Sequence, residues 1–94
     1  MTIQERCKRY LDMTKEALEH VKISPSKESF LNKAANDFID MCNNYLNDAT
    51  YFYEKGDFEN SLAASSYAYA WLDAGVRLGI LNASGDYKRF TQYS

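Results

Sequence analysis

The chain is poor in the residues on which most catalytic and metal sites are built. Its 94 residues include one histidine, His20, and two cysteines, Cys7 and Cys42. A lone histidine leaves any imidazole acid–base chemistry to a single position. His20 stands near a helix end, where a cation suits the dipole, and reads as an exposed terminal-turn residue. The two cysteines have no third or fourth ligand at metal spacing and make no disulfide framework. They read as core thiols, which pack like small hydrophobes, and folding brings Cys7 and Cys42 to similar levels. No glycine-rich phosphate loop, no Glu-x-x-His and no serine–histidine–aspartate set is present. No apolar run nears the roughly 18 residues of a membrane span. The opening MTIQERCKRYLDM mixes charges among its apolar residues and has no signal-peptide core. A net charge of −2 gives no general grip on nucleic acid or anionic lipid. Lys8, Arg9, Lys15 and Lys22 make one basic side, but Glu5, Asp12, Glu16 and Glu19 nearly cancel it. The expectation is a cytoplasmic protein that is not an enzyme, with no cofactor, no metal and no membrane or nucleic-acid partner.

What the chain does have is amphipathic helix. The length fits one domain spanning 1–94, with a modest stability margin unless it oligomerises. Thr2 and Glu5 form a capping-box pattern ahead of Ile3, Cys7, Tyr10, Leu11, Thr14, Ala17, Leu18 and Val21, which step at three and four. This predicts a helix over about 3–22. Its wet side mixes favourable charge spacings (Glu5–Arg9, Asp12–Lys15) with an unfavourable one (Asp12–Glu16). Pro25 then breaks the chain, with Ser24 or Ser26 available to cap the next helix. A second stripe, from Phe30 and Leu31 through Ala35, Phe38, Cys42, Tyr45, Leu46 and Ala49 to Tyr53, predicts a helix over about 27–55. Asn32, Asn36, Asp37, Asp40, Asn43, Asn44, Asn47 and Asp48 mark its solvated side. Asp37, Asp40 and Asp48, with Asp73, therefore read as solvated carboxylates rather than a metal cluster.

Gly56 and Asp57 close the second helix and open a third, predicted over 58–81. From Asn60 to Leu72 that helix carries no charge. Small residues alternate there with Leu62, Tyr67, Tyr69, Trp71 and Leu72, so it is apolar on nearly every side and should be central. Two short connections make the helices antiparallel neighbours. The fold class is all-α, an up-down-up three-helix bundle with a short tail, 82–94. Tyr87, Phe90 and Tyr93 give that tail the spacing of a short amphipathic turn. Tyr45 should lie level with Tyr67.

The string YFYEKGDFENSLAASSYAYAWLDAGVRLG resembles a small archaeal family catalogued as domain of unknown function 357. The resemblance rests on the turn Tyr53-Glu54-Lys55-Gly56-Asp57-Phe58, on residues 67–75 and on Arg77-Leu78-Gly79. Ala70 stands where the family commonly has glycine before the tryptophan. The resemblance implies a helical bundle, an archaeal cytosolic origin and no assigned activity. The turn is also similar to a tetratricopeptide-type hairpin, yet no second Gly-Asp-Phe recurs at the period of about 34 that such repeats require.

Gly75 and Gly79 each cost up to about 1 kcal/mol in a helix interior, so something must gain from close approach there. A ridge of Ala64, Ala68, Trp71, Gly75 and Gly79 is read as a contact for another helix. Asp73 and Arg77 form an i, i+4 pair beside Trp71, either a rim salt bridge or a polar anchor in a groove. The expected function is a non-catalytic interaction module that self-associates as a homodimer, or docks a protein partner, through the third helix. Its surface would comprise Tyr67, Ala68, Trp71, Asp73, Gly75, Arg77 and Gly79. The alternative is a small-ligand or nucleotide-related accessory domain with a pocket around Trp71, lined by Tyr53, Tyr67, Asp73 and Arg77 between the second and third helices.

Overall fold

The computed structural model describes residues 1–25 and 28–83. Ser26 and the tail residues Tyr87, Phe90 and Tyr93 lie outside the described residues. The architecture is the expected all-α three-helix bundle: α1 (Ile3–His20), α2 (Phe30–Glu54) and α3 (Phe58–Leu78). A small antiparallel ribbon of β1 (Lys22–Ile23) and β2 (Leu81–Asn82) is added to it. α3 is the central element. It packs most extensively on α2 and then on α1, while α1 and α2 meet each other least.

The helix starts follow local chemistry. The Thr2 hydroxyl accepts from the Glu5 amide at 3.1 Å, and the Thr2 amide donates to Glu5 Oε1 at 3.2 Å, completing the capping box. Asp57 caps α3 by accepting from the Asn60 amide. The cap of α2 is neither Ser24 nor Ser26 but Ser29, whose hydroxyl accepts from the Asn32 amide at 3.0 Å. α2 therefore starts three residues later than the periodicity implies. Phe30 and Leu31 occupy its first turn and are 80% and 51% exposed, because burial along α2 begins only at Ala35.

The helix ends account for the remaining differences from the sequence reading. α1 stops at His20 because Val21 is extended and leads into β1. α3 stops at Leu78, not near Leu81. Gly79 is no interior glycine: it takes φ 83° and turns the chain. Ile80 N–H then reaches the Gly75 carbonyl and Gly79 N–H the Val76 carbonyl, each at 3.1 Å. Gly56 closes α2 with the same pair of bonds, Asp57 to Phe52 and Gly56 to Tyr53.

Beyond Gly79 the chain doubles back and pairs Leu81 with Ile23 and Asn82 with Lys22. Ser24 N–H donates to the Ile80 carbonyl at 3.1 Å, extending the ribbon. This return places Leu81 against Gly75. A Cβ on residue 75 would collide with Leu81, lying 2.8 Å from its Cγ and closer still to its Cδ1. The close approach that Gly75 permits is thus to the chain's own next segment, not to an outside helix.

The core joins Cys7, Leu11, Thr14 and Ala17 of α1 to Ala35, Cys42, Leu46 and Ala49 of α2. From α3 come Ser61, Ser65, Ala68, Leu72 and Gly75. Small side chains along the α2–α3 contact let the two backbones approach, and the buried hydroxyls bond backbone. Ser61 donates across the interface to the Ala49 carbonyl at 2.6 Å, and Ser65 donates within α3 to the Leu62 carbonyl. Both cysteines are buried and free. Burial pushes the Cys42 thiol up to about 11.

Two outcomes are expected. Gly75→Ala should lower unfolding free energy by about 1–3 kcal/mol through overpacking against Leu81, as read by urea denaturation. An unchanged midpoint would remove Leu81 as the reason for glycine. At pH 8 Cys42 should resist a disulfide reagent in the native protein and react once unfolded, since the thiolate is the reacting form. Rapid native labelling of Cys42 would contradict its burial.

Candidate functional site

α3 presents three faces that differ in chemistry. Toward α2 it turns aromatic rings. Tyr67 packs on Tyr45 at 4.3 Å between centroids, as their levels in the hairpin imply, and Trp71 meets Phe38 edge-on at 5.1 Å. Tyr67 and Trp71 are themselves 6.2 Å apart. Tyr53 meets Phe58 at 5.3 Å across the turn. The Tyr45 hydroxyl titrates above its usual range, chiefly through desolvation and then through the neighbouring Tyr67. Trp71 Nε1 is shielded from solvent with no acceptor among the described residues.

Toward α1 lies a cleft of about 610 Å³. It is lined by Arg6, Arg9, Tyr10 and Met13 of α1, by Met1 ahead of that helix, and by Ser66, Tyr69, Ala70 and Asp73 of α3. Tyr67 and Tyr69 thus serve opposite flanks of one helix. The acids on the early turns of α1 are already engaged. Glu5 bonds Thr2, and Asp12 holds Lys8 at 2.8 Å, raising the lysine's pKa mainly through that hydrogen bond. Neither the Arg6 nor the Arg9 guanidinium has a carboxylate partner among the described residues. On the other wall Asp73 Oδ2 accepts from Arg77 Nε at 3.1 Å, the expected i, i+4 pair. Asp73 Oδ1 is shielded from solvent and lacks a donor among the described residues.

The third face looks outward. Ala63, Ser66, Tyr67, Ala70 and Ala74 are exposed along it and carry no charge. Glu59 stands at its start and Arg77 near its end, both exposed.

The residues singled out from the sequence are divided among these faces. Ala68 and Gly75 are buried inside the bundle, Trp71 lies partly buried against α2, and Gly79 is an exposed turn residue. The ridge of Ala64, Ala68, Trp71, Gly75 and Gly79 is therefore covered at Ala68 and Gly75 by this chain itself. Tyr67, half exposed, and Arg77 remain on the surface, and Asp73 belongs to the cleft wall. Asp37, Asp40 and Asp48 are exposed along α2, and no group of three or more metal-ligating side chains forms among the described residues. His20 is exposed, with Nδ1 2.8 Å from the Glu16 carbonyl. Sequence reasoning did not place Arg6, Arg9 and Tyr10 on a cleft wall, since they read as parts of an ordinary amphipathic helix. The parallel course of α1 and α3 in an up-down-up bundle was the signal that sets residues 6–13 level with 66–73.

Among the described residues no helix is long and apolar enough to cross a membrane. No curated protein and no solved structure matches the chain. A family model described as "Protein of unknown function (DUF357)" matches residues 9–81, which takes in all of α2 and α3 and most of α1. With more than half of its length under that match, the chain belongs to the DUF357 family.

Proposed function

We propose that the protein is a non-catalytic helical interaction module that self-associates through the outward face of α3. The observation that carries this reading is the exposed, uncharged stripe from Ala63 to Ala74, bounded by Glu59 at one end and Arg77 at the other. Small side chains let a second helix approach closely. Charges of opposite sign at the two ends favour an antiparallel mate of the same kind. A two-fold arrangement would set Glu59 of each copy against Arg77 of the other, so one patch serves both subunits. Arg77 uses Nε toward Asp73, which leaves its terminal nitrogens for such a contact. Tyr67, half exposed on the edge of the stripe, supplies the residue type that most often anchors interfaces. The contact surface is thus turned away from the Ala68–Gly75 line, which the bundle itself uses.

The test is solution mass by light scattering across a concentration series. The native chain should show a concentration-dependent dimer, and Ala74→Arg should shift it to monomer. An exposed position of this kind should change stability by no more than about 0.5 kcal/mol. Mixing Ala74→Arg with Ala63→Glu should restore dimers, because antiparallel copies bring those positions together. A native chain that stays monomeric throughout, or an Ala74→Arg chain that dimerises as well as the native one, would overturn the proposal. Gly75→Leu is unsuited to this test, since it strikes Leu81 in the fold itself.

A further inference from the structure

From the α1–α3 cleft we infer a binding site for a small phosphate monoester carrying a flat ring, of the nucleoside monophosphate class. The site does not rest on self-association, although its α3 wall shares Ser66 and Ala70 with the edge of the outward stripe. A volume of about 610 Å³ falls within the range of roughly 300–1,000 Å³ that takes small ligands. The α1 wall brings two arginines, Arg6 and Arg9, one turn apart to the same cleft. The local acids that would neutralise them are committed elsewhere, Glu5 to Thr2 and Asp12 to Lys8.

Two cations on one wall fit a dianion better than a carboxylate. A phosphate monoester carries about −1.5 to −2 at pH 7 and offers oxygens for forked guanidinium bonds. Asp73 on the facing wall sets the opposite condition. Its carboxylate, only partly balanced by Arg77, confines an anionic group to the α1 side and disfavours a long polyphosphate. The walls also carry Tyr10 and Met13 from α1 and Tyr69 and Ala70 from α3, side chains whose apolar parts suit a planar body. The Ser66 hydroxyl, exposed at the rim, adds a donor and acceptor.

The experiment is isothermal titration calorimetry of the full chain with adenosine monophosphate, inorganic phosphate and adenosine as separate probes. Adenosine monophosphate should bind saturably and more tightly than either fragment. Replacing both Arg6 and Arg9 by glutamine should weaken it by about tenfold or more, with unchanged helical circular dichroism. Ala74→Arg, outside the cleft, should bind as the native chain does, which separates this test from that of self-association. Absence of saturable binding at millimolar nucleotide, or equal binding by the double glutamine variant, would overturn the site. Inorganic phosphate binding as tightly as the nucleotide would overturn the ring-binding half of the inference.

Discussion

Leu81 occupies the space that a side chain at residue 75 would need, and much of the bundle depends on that contact. It requires glycine at the start of the last turn of α3, and it requires the chain to reverse within a few residues. Gly79 provides the reversal through its left-handed φ, which ordinary residues adopt only at a cost. Once reversed, the chain lays β2 along β1 and fastens the end of α1 to the end of α3. α1, which meets α2 sparingly, is held chiefly by α3 and by this ribbon.

Small residues inside α3 solve a related problem at the α2 contact. Ser61 and Ala68, with Ala49 opposite, are wholly buried, so the two helices can lie close. The Ser61 hydroxyl is satisfied by the Ala49 carbonyl, so its burial leaves no polar group stranded. Apolar bulk is moved to the flank, where Tyr45, Tyr67, Phe38 and Trp71 stack beside the narrow contact. That arrangement leaves the outward face of α3 with only short side chains and one tyrosine, and the α1 flank with a cleft. One helix thus serves as core, as an open stripe and as a cleft wall.

The helices were legible in the sequence because apolar spacing repeats over many turns and the caps at Thr2 and Asp57 are local signals. The Asp73–Arg77 pair and the Tyr45–Tyr67 stack were legible for the same reason, since spacing and hairpin register determine them. The ribbon was not, because two-residue strands have no period to detect. Its absence from the sequence reading carried the third helix on to Leu81 and turned Gly79 from a terminator into a ridge residue. The logic that Gly75 answers a close approach was sound. Its partner lies beyond the helix end and could not be named without the turn. Arg6 and Arg9 were hidden differently: a charged residue on the wet side of a helix looks the same whether it faces open water or a neighbouring wall. Only the packing of α1 beside α3 distinguishes the two.

The β1–β2 ribbon also has a kinetic meaning. α2 and α3 are adjacent in sequence, joined by the Gly56 turn, and their contacts close short loops. The ribbon instead joins segments separated by the whole of α2 and α3, so closing it loses more chain entropy before any bond is gained. The α2–α3 hairpin is therefore the natural early unit of folding, and α1 is secured only after α3 has formed, ended and turned back. Synthesis makes α1 before α2 and α3, yet its resting place is completed by residues made after both.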